Sequence, residues 1–519
     1  MKKLLIAVTA LISFSAQAQK NTLLDQSFWQ NQPDVNRVKV EVEKGNSPSQ
    51  FNANSMDAVV LAINSQAPNA AIKFLLDQPG NTTAKLTHDG RTYLHWAANR
   101  GNADVMEYLL AKGAKIDVVD SHGATPLIFA AGSAQQNTKV YDLLLAHGDN
   151  LKTNVNQDGA NALLIAIAGD KDFTLTNYFV SKGLNLNSTD ATGNNAFSYA
   201  AKSGNPELLK TLLQKGVKTN ANAILMAAQS GGRRGGTNTS AGLAFYQYLE
   251  TLNIKPTATS KSGENVLHYI VRKPNQGDII NYFIGKGVDV NKADEEGNTV
   301  LMSAAATNRD TAVIGMLMPS VKLINQVNRK GESALALAVR SNSPEVVAYL
   351  INKGADVKIT DIKGNNLAYY LMESYRSQNG MVMAAQGTAI PNVQAERTAS
   401  APRQDDFEAK LNILREKGLN VAAPQKNGNT LYHLAIAKND ILLLKRLQPL
   451  GIDINTKNAE GLTALHKAAM VAKDDNLMKY LISIGAKKDA VTNFKETAFD
   501  LANENESLSK SNVSVNFLK

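Results

Sequence analysis

The chain has 519 residues, 44% hydrophobic and 19% charged, so it carries enough apolar surface for a large core and is not disordered as a whole. Its formal net charge of +9 is modest for that length. The absence of cysteine excludes disulfides, a lipid-bearing cysteine and thiolate metal sites. Length alone suggests about three or four domains, an expectation that internal repetition overrides.

The N-terminus, MKKLLIAVTALISFSAQAQK, reads as an export signal over residues 1–18. Lys2 and Lys3 form a basic start, Leu4 to Phe14 an apolar run of eleven residues, and Ala16-Gln17-Ala18 a small-x-small cleavage site. Eleven apolar residues are too few for a bilayer, which needs roughly twenty, and no later run is long enough. The mature chain, starting at Gln19 with a formal charge of +7, is expected in the bacterial periplasm, with full secretion as the alternative. Residues 19–49 are expected to form an N-terminal capping segment, with a partial unit at Leu24 to Gly45.

From residue 50 to 505 the chain repeats. Glycines of a D/N-x-x-G-x element fall at 90, 123, 159, 193, 263, 297, 331, 364, 428 and 461. Their spacings are 33, 36, 34, 70, 34, 34, 33, 64 and 33; the 70 is two units, one without its glycine, and the 64 is one unit plus an insertion. Two residues after each glycine stands a helix-capping type, as in Thr92, Thr125, Asn161, Asn265 and Thr463. Pro126 follows Thr125 at a position suited to the first helical residue. Paired small residues such as Ala97-Ala98 and Ala304-Ala305 predict a first helix that lets its neighbours approach closely. A second helix ends in bulky pairs such as Leu109-Leu110 and Leu144-Leu145, with stop glycines at Gly113 and Gly148.

These residues resemble the ankyrin repeat, whose first helix opens with T-P-L-H-x-A. The best matches are TYLHWAA (92–98), NVLHYIV (265–271), TLYHLAI (430–436) and TALHKAA (463–469). The resemblance implies an all-α ankyrin-repeat solenoid of about twelve helix–turn–helix units joined by β-hairpin connections. Single units cannot bury their apolar faces, so stacking provides the core. Insertions at 230–242 and 377–405 are placed between first and second helices, ETAFDLANENESLSK (496–510) is expected to cap the C-terminal end of the array, and residues 506–519 are read as a C-terminal tail.

Chemistry is sparse. His95, His268, His433 and His466 share one motif slot, where the resemblance implies a structural imidazole bonded to backbone near the hairpins. Trp96 holds the slot of Phe129, Tyr199, Tyr269, Leu337 and Leu434, and is read as packing between layers. His88 and His122 lie near adjacent hairpin tips and are read as solvated rather than metal-binding. GGRRGG (231–236) lacks the strand and helix setting of a phosphate loop, and Met381, Met383 and Ile390 are read as part of a loop. No G-x-S-x-G, Walker-type or H-E-x-x-H motif occurs. Neither a catalytic nor a metal residue is assigned and no cofactor is expected, an enzyme assembled across repeats being the least favoured reading.

Charges alternate in sign from tip to tip, with Lys261, then Asp294 to Glu296, then Arg329 and Lys330, which offers no continuous track to a nucleic acid. By resemblance, hairpin tips and first-helix ends would contact another protein. The candidates are Arg91, Asn99, Arg100, Lys202, Arg272, Lys273, Arg329, Lys330 and Arg340. The expected role is a non-enzymatic, monomeric protein-binding scaffold of the bacterial envelope that supports or protects a periplasmic enzyme, with a secreted effector as the alternative.

Overall fold

A computed structural model describes residues 21–230, 241–375 and 406–519. The expected export signal, the GGRRGG motif, Met381, Met383 and Ile390 lie outside the described residues. The chain divides into two compact units, one up to Ala196 and one from Phe197 onward.

Each unit is a stack of helix pairs. Among the described residues twelve pairs run from Ala58 to Ser483, flanked by one further pair at each end, and no continuous strand accompanies them. The first of the flanking pairs is Gln26–Gln30 with Val35–Glu43, and it buries Phe28 and Trp29. The last is Ala498–Glu504 with Glu506–Lys510. Within residues 506–519, read as a tail, Glu506–Lys510 is helical and belongs to this terminal pair. Leu508 and Leu518 are buried and close off the last apolar layer.

The local reasons repeat from pair to pair. Thr125 Oγ1 accepts from the Ile128 N–H at 3.3 Å with Pro126 leading the helix, and Asn161 Oδ1 accepts from the Leu164 N–H at 3.1 Å. Alanines such as Ala97, Ala98, Ala130 and Ala131 are fully buried where first helices meet, since only small side chains leave room there. Second helices end on a left-handed glycine: at Gly113, φ +81°, the N–H reaches Leu110 O and the next N–H reaches Leu109 O.

The connections are tight hairpins, six of them holding a single antiparallel bridge such as Val155 with Asn161 or Ala293 with Thr299. Neighbouring tips bond through backbone. In the first unit Ser121 N–H donates to Asp89 O at 2.8 Å; in the second, Arg329 N–H donates to Glu296 O at 2.9 Å and Ile362 N–H to Lys330 O at 3.1 Å. Gly331 shows why glycine is needed at such a tip. Its φ is +76°, and a Cβ there would lie 2.5 Å from Ile362 N.

On the second helices a further pattern recurs, in which a Tyr and a Lys four residues later share one carboxylate of the preceding pair. Tyr178 OH and Lys182 Nζ meet Asp142 Oδ1 at 2.9 and 2.6 Å; Tyr282 OH and Lys286 Nζ meet Glu250 at 2.6 and 2.7 Å. Tyr108 and Lys112 converge on Asp77 in the same way. Half-exposed ion pairs of this kind contribute little individually, and their regularity fixes register between layers.

Candidate protein-binding face

Face and framework separate at the histidine slot. The backbone N–H of Thr92 donates to His95 Nδ1 at 3.1 Å, and His95 Nε2 lies 3.1 Å from the Ala124 carbonyl of the next hairpin. The same arrangement joins His268 to Asn265 and Asn298, His433 to Thr430 and Leu462, and His466 to Thr463 and Ala490. An Nδ1 that accepts and an Nε2–H that donates describe a neutral ring. Burial holds His95 down to about 4 and lowers the other three in the same direction. In the last pair Asp500 takes this slot, accepting from the Thr497 N–H at 2.8 Å.

The expectation that Arg91 faces a partner is corrected. Arg91 is buried, with Nε donating to Asp120 Oδ2 at 2.8 Å and Nη1 to Asp89 Oδ2 at 3.1 Å. Its guanidinium lies 4.2 Å from the Phe129 ring centroid and 5.3 Å from that of Trp96. Trp96 is itself buried, edge-on to Phe129, and its Nε1 donates to Thr87 Oγ1 at 2.9 Å. His88 and His122 each place Nε2 3.4 Å from Asp89 Oδ2, the oxygen that also receives Arg91. A guanidinium on that carboxylate disfavours a cation, and among the described residues no group of three metal-ligating side chains forms.

The remaining candidates scatter. Asn99 donates to Phe129 O at 3.2 Å and also reaches Ser133 Oγ, while exposed Arg100 donates to Asn64 Oδ1 at 2.9 Å. Lys202 lies over the Tyr199 ring at 4.9 Å. Lys273 is not a surface cation in the sense expected. It is half-buried and bonded to Ser230 O, and burial pushes its ammonium down to about 8. Arg329 is exposed at a hairpin tip.

Three of the predicted residues do come together. Arg272, Lys330 and Arg340 line one recess of about 280 Å³ in the second unit, with Met302, Ser303 and Ala306 among the residues between them. The recess exists because of one slot. Tyr269 and Leu337 are bulky where Ser303 is not, and Ala306 stands where the neighbouring helices carry Arg272 and Arg340. Arg340 Nη1 donates to Glu332 Oε1 at 2.6 Å, while Glu332 Oε2 accepts from Asn328 Nδ2 at 2.9 Å. Arg272 is exposed and donates to Ser303 Oγ at 3.3 Å. Ser303 and Ala306 escaped the sequence reading, although the interrupted bulky slot was the signal that would have found them.

Comparisons with known proteins agree with this architecture. The family model described as "Ankyrin repeats (3 copies)" matches residues 56–155, 134–223, 252–361 and 404–511, more than half of the chain. The phosphocholine transferase AnkX of Legionella pneumophila is 24% identical over 31% of this chain and 15% of its own length. The B-cell lymphoma 3 protein homolog of Mus musculus is 33% identical over 25% of this chain and 29% of its own. An L-asparaginase of Dirofilaria immitis is 30% identical over 29% of this chain and 25% of its own. The chain thus spans less than a third of each of these relatives, two of which are named for enzymatic activities. No helix among the described residues is long and apolar enough to cross a membrane. With the repeated caps, alanine-lined first helices, backbone-linked hairpins and the family match, the chain belongs to the ankyrin-repeat family.

Proposed function

We propose that the chain is a non-enzymatic scaffold that holds another protein on the face lined by its hairpins and first helices. The observation carrying this reading is the recess that gathers Arg272, Lys330 and Arg340 over Ser303 and Ala306. At about 280 Å³ it falls just below the range of roughly 300–1,000 Å³ of small-molecule sites, a size suited to one or two side chains of a partner. The tightly bonded framework around it favours display of a preformed surface over closure on a substrate.

The compartment we assign is the bacterial periplasm, and the role is support or protection of a periplasmic enzyme. The basic start, eleven-residue apolar run and small-x-small site support export. The test is crosslinked co-purification from native periplasm followed by mass spectrometry. We expect one envelope protein enriched over a control repeat array of equal length. No enrichment over the control sinks the scaffold reading, and recovery of the chain only in culture medium sinks the compartment.

A further inference from the structure

We infer that this recess selects its partner through an acidic side chain, a carboxylate of a protein segment seated over Ser303 between Arg272 and Lys330. This rests on the scaffold function proposed for the chain and specifies its chemistry.

The charges facing the recess are Arg272, Lys330, Arg340, Glu296 and Glu332. Arg340 and Glu332 neutralise each other at 2.6 Å, and the second oxygen of Glu332 is occupied by Asn328. Among the described residues, Arg272 and Lys330 make no ion pair within 4.0 Å. Two cations are therefore available against the single exposed carboxylate of Glu296. Arg272 supplies the planar fork that receives a carboxylate through paired N–H donors, and only one of its terminal nitrogens is engaged, at 3.3 Å on Ser303 Oγ.

The floor favours a side chain with a short apolar stem. Met302 and Leu337 are buried and present carbon, and Ala306 leaves the wall between the arginine-bearing helices low. The polar neighbours are already satisfied, with Asn298 Nδ2 on Asp294 at 3.0 Å and Asn328 Nδ2 on Asn298 at 2.9 Å. An uncharged amide entering here would find no equivalent of the guanidinium–carboxylate pair. A basic side chain would meet two cations.

The test uses the full chain and fluorescein-labelled eight-residue peptides of alternating Ala and Glu, with Ala-Gln and Ala-Lys versions as controls, read by fluorescence anisotropy. The Glu peptide is expected to bind roughly tenfold more tightly than the Gln peptide, the scale of a charge-assisted bond, and to weaken with added salt. Two variants separate charge from shape. Arg272→Glu reverses the cation, and Ser303→Tyr fills the recess with the residue type that Tyr269 already places in this slot. Each is expected to lower Glu-peptide affinity at least about tenfold, with unchanged circular dichroism. Equal binding of the Glu and Gln peptides, insensitivity to both variants, or no binding of any peptide at about 1 mM overturns the inference. The scaffold reading stands or falls separately, on partner capture by the unmodified chain.

Discussion

The position just before the first-helix cap is Arg91 in one region and Glu332 in another, and the two regions treat a buried charge in opposite ways. Around Arg91 everything closes. Asp120 and Asp89 take the guanidinium, and Phe129 and Trp96 cover it. Around Glu332, itself buried, the pair with Arg340 also forms, but the matching slot of the preceding repeat holds Ser303, so that side stays open. One arrangement is framework and the other leaves an open recess with Arg272 at its edge. Both charges are buried; the difference lies in what surrounds them, an aromatic cover at Arg91 and a small residue beside the Glu332–Arg340 pair.

The largest test of that contrast is Arg91→Ala. It strands the buried carboxylate of Asp120, a loss on the order of 3–5 kcal/mol. Trp29 and Trp96 are the two tryptophans and both precede Ala196, so urea unfolding followed by their fluorescence reports on that unit. Arg272→Ala should stay within about 0.5 kcal/mol when amide exchange is followed in the second unit. Comparable losses from the two would erase the distinction.

Next in size are the glycines. Gly331→Ala combines left-handed strain of about 1–2 kcal/mol with a collision 2.5 Å from Ile362 N. Gly354→Ala, at φ +98° with nothing within 4 Å of the added carbon, bears the strain alone. Hydrogen exchange of the Ile362 amide should accelerate markedly in the first variant and little in the second. The reverse order would show that the hairpin tips are not locked together.

The histidine slot gives a smaller loss at mildly acid pH, in a stated direction. His95 titrates near 4 when folded against about 6.5 when unfolded. Between those values the unfolded chain binds more protons, so stability is complete above about pH 6.5 and falls as pH drops toward 4. At pH 5 the loss from His95 is about 2 kcal/mol. The second unit contains three such rings and the first contains one. Amide exchange, corrected for intrinsic rates, should therefore show both units losing protection between about pH 7 and about pH 5. Unchanged protection in the first unit, whose ring is lowered to about 4, would mean that the slot does not couple stability to pH.

Much of this fold is legible in the amino-acid sequence. The glycine period and the cap residues are local requirements, because a left-handed turn or an unsatisfied helix N–H is solved within a few residues. Trp96, like Phe129, is read in the same way from slot equivalence alone. Expectation and structure part where an outcome depends on a residue in a neighbouring repeat. Arg91 looks free until Asp120 and Phe129 are beside it, and Lys273 looks exposed until Ser230 O is at its ammonium. Capping by residues 496–510 is legible from their polar face, whereas the burial of Leu518 against the last pair is not.

The amino-acid sequence by itself determined the repeat period, the cap and stop positions, the histidine slot and membership of an ankyrin-type array. Caps and stops are specified by conformational preferences over a few residues, and their recurrence along the chain sets the period and the array. Only the tertiary structure decided which cations remain available and where the face opens. That outcome is set by contacts between layers, where Ser303 next to Tyr269 and Leu337 leaves room that no single repeat reveals.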